Sequence, residues 1–291
     1  MNPAARSPSR PDNLAEYRRR VGLVRKHIAR HLDDPPDLAA LAKIAHFSPF
    51  HFHRIFRGVT GVPLLAYIRA LRLERAATEL TSTEDSILTI ALRARYDSHE
   101  AFTRAFRDHF GVTPTQLRRG QSARPATCST ASGVPPMHVR VVNVDPIPVA
   151  SIRHVGPYGS PSIGETWNRL CQWAGQRGLL GPGTRCFGIG LDDPECTPPA
   201  QIRYDACVTV PGSARAEGEV QIQTIPGRRY ATARHVGSYQ HLAEVYGTLY
   251  GQALPAAGHE PADSPPFEEY VNNPRTTPPE QLITDIYIPI E

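Results

Sequence analysis

The sequence predicts two domains of different class. The first is an all-α part built on two helix-turn-helix units, and an α+β part follows it. Three observations lead there. Apolar residues recur at helical spacing over residues 12–119 and alternate in short runs after residue 137 of the 291-residue chain. Charge divides at the same place: residues 1–125 hold 21 basic and 12 acidic side chains, whereas residues 126–291 hold 11 and 16. Each part also carries its own internal repeat.

The helical part is read in order. After a polar stretch, 1–11, the pattern opens at about residue 12. Asp37 stands before LAALAKIA as an N-cap, and Ser48 followed by Pro49 gives a cap with proline at the first helical position. Ser98 begins a further helix, and Gly61 and Gly111 sit where helices should stop. The segment 63–80 has strong helix formers and no internal glycine or proline.

Ser48-x3-Phe52-x-Arg54-x-Phe56-Arg57-x3-Gly61 repeats as Ser98-x3-Phe102-x-Arg104-x-Phe106-Arg107-x3-Gly111. A short alanine-bearing helix precedes each copy, which makes each a helix-turn-helix. In the first, Phe52, Ile55, Phe56 and Val59 form the buried stripe, so Phe50, His53, Arg54 and Arg57 should face outward. In the second, Phe102, Ala105 and Phe106 are buried, and His99, Glu100, Thr103, Arg104 and Arg107 should face outward. An exposed arginine early on such a helix can grip a guanine edge, whereas Arg57 and Arg107 suit phosphate. A rigid helix between the units would set them about one DNA turn, ~34 Å, apart. His46, His51 and His53 do not fall together on one helix face, and no cysteine or paired carboxylate joins them, so no metal is expected.

Residues 120–136 are small, polar and proline-containing, a linker composition. Strand patterns follow at 138–144, 147–155, 185–191, 203–210, 219–225, 230–236, 267–271 and 282–290, with helices near 162–176 and 240–254. Arg153-His154-Val155-Gly156-x-Tyr158 recurs as Arg234-His235-Val236-Gly237-x-Tyr239, and Asp205-x-x-Val208-x-Val210 as Asp285-x-x-Ile288-x-Ile290. One strand–helix–strands unit is therefore used twice. All five cysteines lie after residue 125, with no C-x-x-C pair, and read as reduced apolar fillers.

The stretch IAHFSPFHFHRIFRGVTGVPLLAYIRALRLERAATEL, with IALRARYDSHEAFTRAFRDHFGVTPTQLRR, resembles the DNA-binding domain of AraC/XylS transcription regulators over about residues 14–119. The resemblance places Phe50, His53 and Arg54, then His99, Thr103 and Arg104, at base-reading positions. One departure is Arg95, where the family usually has glycine. Either the turn tolerates a left-handed arginine or Arg95 gains a phosphate contact. Arg72 reads as a structural partner rather than a DNA contact.

The duplicated R-H-V-G-x-Y motif and the closing FEEYVNNPRTTPPEQLITDIYIPIE resemble GyrI-like effector-binding domains over about 137–291. That fold is a duplicated strand–helix–strand–strand unit with a pocket between the copies. The resemblance implies drug sensing by a central glutamate amid aromatics, which maps to Glu268. Strand alternation puts Glu268 and Tyr270 on one face and Phe267, Glu269 and Val271 on the other. Tyr158, Trp167, Trp173, Phe187, Tyr239 and Tyr270 are the candidate aromatic neighbours, and a buried carboxylate among them would favour a lipophilic cation.

Together these imply a DNA-binding regulator with domains at 1–119 and 137–291 and a linker at 120–136. Its expected partners are double-stranded DNA, a small-molecule effector and RNA polymerase; no cofactor, metal or membrane is expected. Two reading heads in one chain leave the oligomeric state open. Two alternatives are a C-terminal domain that grips a protein partner, and a GyrI-like hydrolase with Glu268 as general base. An alkyl-accepting repair protein is excluded, because residues 1–127 hold no cysteine. The polar N-terminus and the lack of a long apolar run point to a cytoplasmic protein.

Overall fold

A computed structural model describes residues 13–122 and 137–291, with the side chains of residues 49 and 50 left aside. Cys128 and most of the expected linker lie outside the described residues.

Seven helices come first: α1 (Asn13–Arg30), α2 (Leu38–Ile44), α3 (Pro49–Thr60), α4 (Leu64–Ser82), α5 (Ile87–Arg93), α6 (His99–Phe110) and α7 (Pro114–Arg118). Their boundaries follow local chemistry. The Asp37 carboxylate accepts from the Ala40 N–H at 2.8 Å, and the Ser98 hydroxyl accepts from Ala101 at 3.1 Å. Gly111 ends α6 in the left-handed region at φ 74°. Thr113 and Gln116 close a capping box at the start of α7.

The pairs α2–α3 and α5–α6 are the two helix-turn-helix units, and the 19-residue α4 joins them. At ~1.5 Å per residue α4 spans about 28 Å. Phe52, Ile55 and Phe56 are fully buried beneath the first unit, as are Phe102 and Phe106 beneath the second. Both turns hold a non-glycine residue at positive φ, His46 at 53° and Arg95 at 66°. Arg95 Nε and Nη2 donate to the Asp33 carbonyl just beyond α1. The turn's strain is thus offset by a tether to the first helix, a role the sequence had not suggested. Arg72 likewise donates twice to the Leu32 carbonyl, at 3.2 Å each, so it closes the chain after α1.

The second part is one eight-stranded antiparallel sheet carrying helices: β1 (Arg140–Val144), β2 (Ile147–Val155), α8 (Pro161–Gln176), β3 (Cys186–Gly190), β4 (Arg203–Thr209), β5 (Gln221–Ile225), β6 (Arg228–Val236), α9 (Leu242–Thr248), β7 (Phe267–Tyr270) and β8 (Ile283–Pro289). A π-helical stretch, Leu249–Ala253, extends α9. The strand order is β1-β6-β8-β7-β3-β4-β2-β5. The repeat is visible in the pairing. Arg153 faces Asp205 across β2–β4 and bonds it bidentately at 2.7 and 2.8 Å; Arg234 faces Asp285 across β6–β8 at 2.7 Å twice. Gly156 and Gly237 end the long strands at φ 147° and 142°, where an added Cβ would meet the ring of His154 or His235. That packing is the shared structural role of the repeated His-Val-Gly.

The units exchange their leading strands. β1 precedes β2 in the chain but pairs with β6, while β5 precedes β6 but pairs with β2. The exchange welds the units at both ends, and β3–β7 joins them in the middle. One face of the sheet carries Phe187, Phe267, Tyr230, Val149 and Cys207 in its own core. On the other face, α8 covers Ala150, Ile152, Ala206 and Val208.

The remaining core is shared across the expected boundary. Ala231, Ala233, Ile286 and Ile288 of the sheet, with Val245, Leu249 and Tyr250 of the α9 segment, form one cluster with Tyr17 and Val21 of α1 and Phe52, Ile55 and Phe56 of α3. The second helix-turn-helix keeps a separate core of Leu73, Ala76, Leu80, Ile90, Phe102 and Phe106. The division of cores therefore differs from the division of sequence patterns.

No described helix is long and apolar enough to cross a membrane. Of the cysteines, Cys207 is buried as expected, but Cys196 is exposed.

Candidate functional site

Two surfaces are the candidates: the second helices of the two helix-turn-helix units, α3 and α6, and the aromatic–acidic cluster around Glu268.

The face of α6 follows the sequence pattern at its charged positions but not at Thr103, whose hydroxyl oxygen is enclosed. His99, Arg104 and Arg107 are exposed, and Thr103 is half-buried.

The face of α3 does not follow the outward expectation. His53 is only 2% exposed, because the C-terminal domain lies over it. His53 Nε2 accepts from the Leu64 N–H at 3.2 Å, so Nδ1 carries the proton toward Glu195 at 3.1 Å and Asp193 at 3.4 Å. Arg54 lies over the rings of Tyr246 and Tyr250, at 5.2 and 5.6 Å from their centroids, with Nε 3.8 Å from Asp193. Arg57 forms an ion pair with Glu195. His51 is fully buried; its Nε2 donates to the Ala262 carbonyl at 2.8 Å, and its ring stacks on Tyr250 at 5.2 Å. Phe50 lies in α3, but its side chain is outside the described residues. Helical periodicity correctly assigned the face opposite the local core and could not show that a second domain covers it.

Electrostatics favour this arrangement. Burial works against the Arg54 charge, yet Tyr250, Asp193 and Tyr246 outweigh it and raise its pKa, so the guanidinium stays charged. Burial also pushes Asp193 up, but the His53 hydrogen bond and the Arg54 charge hold it below the ordinary carboxyl range. Glu195 is raised by burial, against the pull of His53 and Arg57. His53, Asp193 and Cys196 bring potential metal ligands within 4.8 Å of one another. With its proton on Nδ1, however, His53 offers that site a donor and no lone pair.

The second surface centres on β7. Glu268 Oε2 accepts from the Tyr270 hydroxyl at 2.7 Å, and Oε1 from the Tyr246 hydroxyl at 3.0 Å. Tyr270 and Tyr204 hydroxyls meet at 3.0 Å, and Trp167 Nε1 donates to Tyr204 at 3.2 Å. Trp167 and Tyr239 pack on the Tyr270 ring at 5.8 and 5.3 Å. Burial raises the Glu268 pKa, while the two tyrosine hydrogen bonds and the Arg54 charge draw it back.

Among the sequence-derived aromatics, Trp167, Tyr239 and Tyr270 are brought together around Glu268. Tyr158 stands beside Tyr204, ring to ring at 6.2 Å, with its hydroxyl on the Asp192 carbonyl at 2.9 Å. Phe187 is placed elsewhere. It pairs with Glu269 in the β3–β7 ladder, so it faces the opposite core, where it meets Phe267 at 5.7 Å. Trp173 is likewise apart from Glu268 in its contacts, stacking under Arg177 at 4.7 Å. Glu269, on the Phe187 face, is held by Arg185 at 2.7 Å twice.

Sequence reading missed Tyr204, Tyr246 and Gly188. Strand alternation over residues 203–210 gives a signal for Tyr204, which shares the helix-covered face with Ala206 and Val208. Gly188 pairs with Glu268, and a Cβ there would lie 2.3 Å from the Tyr270 hydroxyl and 2.5 Å from that of Tyr204. Only glycine leaves room for the tyrosine pair. Tyr246 had no local signal, since its role depends on how α9 meets both β7 and α3.

The architecture is a double helix-turn-helix joined to a duplicated strand–helix–strand–strand domain with an acidic aromatic centre. Comparison with known proteins agrees. Residues 137–291 match the GyrI-like small molecule binding domain, and residues 41–120 a helix-turn-helix domain. The chain belongs to the GyrI-like family, and its helical part is of the AraC type. Right origin-binding protein of Escherichia coli (strain K12) is 47% identical over 89 residues, covering 31% of this chain and 31% of that protein. The transposon Tn10 TetD protein of Escherichia coli is 45% identical over 94 residues, 32% of this chain and 68% of TetD. The alignment thus spans about a third of the first relative's length. Among solved structures, the EcmrR C-terminal domain matches 53% of this chain and 98% of its own, at 21% identity and a TM-score of 0.43.

Proposed function

We propose that this protein is a one-component transcription regulator whose C-terminal domain senses a lipophilic cation at Glu268. Its domains correspond to residues 1–119 and 137–291, joined by 120–136. The observation that carries the sensing is the Glu268 carboxylate. It is half-buried, its hydrogen bonds among the described residues come from the neutral hydroxyls of Tyr246 and Tyr270, and it is bordered by Trp167 and Tyr239. A buried carboxylate without a bonded cation attracts one, and aromatic faces add cation–π attraction of about 0.5–2 kcal/mol.

On the DNA side, Arg104, Thr103 and His99 are the base-reading candidates of α6, and Arg107 the phosphate contact. Phe50, His53, Arg54 and Arg57 are their counterparts on α3. RNA polymerase is the partner expected of a regulator bound upstream of a promoter, in the cytoplasm.

The test is a DNA-binding titration on the gene's own upstream region, with and without tetraphenylphosphonium. Sequence preference lost in Arg104→Ala, and an affinity that moves with the cation in the parent but not in Glu268→Gln, support the reading. Equal binding to upstream and bulk DNA would sink it.

A further inference from the structure

The contact between α3 and the sensor domain is built from several independent features. Gly58 of α3 crosses Gly247 and Gly251 of the α9 segment backbone to backbone: a Cβ on Gly58 would lie 2.0 Å from the Gly247 carbonyl oxygen and 2.6 Å from the Gly251 Cα. Small residues four apart are what lets two helix backbones approach this closely. On one side of the crossing lie Arg54 with Tyr246 and Tyr250, and Arg57 and His53 with Glu195 and Asp193. Beyond them the Ser48 hydroxyl reaches Asp263 at 2.6 Å, and His51 reaches the Ala262 carbonyl. The positive face of a reading helix is matched by an acidic, aromatic face of the same chain.

We propose that the surface formed by Asp193, Glu195, Tyr246, Gly247, Tyr250 and Gly251 is a docking site for α3 of the same chain, which closes the first helix-turn-helix to DNA until the contact opens. The inference rests on the DNA-binding reading above and adds its regulation. DNA and the sensor domain compete for one set of side chains, since Arg54 cannot sit over Tyr246 and reach a base edge at once. The second unit, with α6 exposed, stays available in both states.

The docking site also touches the cation site. Tyr246 holds Arg54 over its ring and donates its hydroxyl to Glu268. The Arg54 charge acts on Glu268 as a nearby countercharge. A lipophilic cation at Glu268 takes over that countercharge role and sets a second positive charge close to Arg54. Arg54 and the cation are therefore mutually unfavourable, and the cation shifts the chain toward the open form.

The experiment uses the full chain and a duplex enriched from a randomised pool. Gly251→Ala removes the close crossing without changing charge, and the pair Asp193→Asn with Glu195→Gln removes the acidic face. Glu217→Gln with Glu219→Gln, a remote acidic pair, controls for charge alone. Both docking variants should bind the duplex at least about tenfold more tightly than the parent, with a steeper salt dependence because α3 adds phosphate contacts. The remote control should move far less. Tetraphenylphosphonium should tighten binding by the parent and have little further effect on the opened variants. Parent-like affinity and salt dependence in both docking variants, with unchanged circular dichroism, overturns the docking proposal. Should Gly251→Ala not fold, the carboxylate pair against its control decides alone. Failure of tetraphenylphosphonium to act, with the variants still tightened, removes the cation coupling and leaves the docking standing. If neither the parent nor any variant enriches a sequence, the DNA-binding reading fails and the switch falls with it.

Discussion

Gly58 and Gly251 meet where no side chain fits: a Cβ built on Gly251 would lie 2.4 Å from the Gly58 Cα. One glycine belongs to the second helix of the first helix-turn-helix and the other to the GyrI-like domain. Gly58→Ala should improve the intrinsic helix propensity of α3 by about 1 kcal/mol yet overpack the crossing by about 1–3 kcal/mol. Its expected effect is therefore opening rather than unfolding. Small-angle scattering should show a larger radius of gyration with helix content unchanged; an unchanged radius would argue against it.

The two reading arginines should differ when substituted. Arg104→Ala removes an exposed side chain and should cost about 1–3 kcal/mol of sequence discrimination, with no change in stability. Arg54→Ala removes a DNA contact and also a buried docking contact, so its loss of DNA affinity should be smaller than its loss of thermal stability suggests. Paired titrations and melting curves on the two variants check this, and indistinguishable behaviour would contradict it.

Glu268 has a raised pKa through burial, partly opposed by Tyr270, Tyr246 and Arg54. The folded state therefore keeps a proton that the unfolded chain has released. Stability falls as pH rises from the unfolded value, about 4.3, through the folded one, and the deficit persists above it. Glu268→Gln should raise the melting temperature at neutral pH, with the gain shrinking on acidification. Tetraphenylphosphonium binding needs the carboxylate and should weaken over the same acid range. Calorimetry across pH reads both, and a cation affinity independent of pH would count against Glu268.

His51 behaves with the opposite sign. Burial, with Arg54 adding to it, lowers its pKa from 6.5 to about 4, despite the bond to Ala262. Above pH 6.5 both states are neutral and nothing is lost. Below it the unfolded chain binds a proton first, so stability falls as pH drops toward about 4. At about pH 5 the loss is on the order of 2 kcal/mol. Denaturant midpoints should fall over this window, and less so in His51→Gln.

Arg95 sits at φ 66° and donates to the Asp33 carbonyl. Arg95→Gly relieves about 1 kcal/mol of backbone strain and loses a hydrogen bond of similar worth, so stability should change little. Arg95→Val keeps the strain and loses the bond, and should destabilise by more than about 1 kcal/mol. Neither variant keeps the tether, so equal midpoints for the two would show that the left-handed backbone costs nothing here.

Much of this architecture was legible in the sequence because its causes are local. Helical spacing of Phe52, Ile55 and Phe56, the caps at Asp37 and Ser98, and the alternation of Glu268 with Glu269 each act within a few residues. The repeated motifs flagged Arg153 and Arg234, and Asp205 and Asp285, as equivalent positions, but only the ladders paired each arginine with its aspartate. Phe187 shows the limit. Its strand was legible, but which face meets Glu268 depends on the register of β3 against β7, two segments about 80 residues apart.

The sequence by itself determined the two domain classes, their element order and the two helix-turn-helix units. Tertiary structure alone decided that β1 and β5 exchange partners, that Tyr204 and Tyr246 join the acidic centre, and that α3 is covered by the second domain while, among the described residues, α6 keeps His99, Arg104 and Arg107 exposed. The physical reason is that periodicity reports which face of an element is apolar. It does not report which polar face finds a complementary one, and here Arg54 and Arg57 meet tyrosines and carboxylates more than 130 residues away.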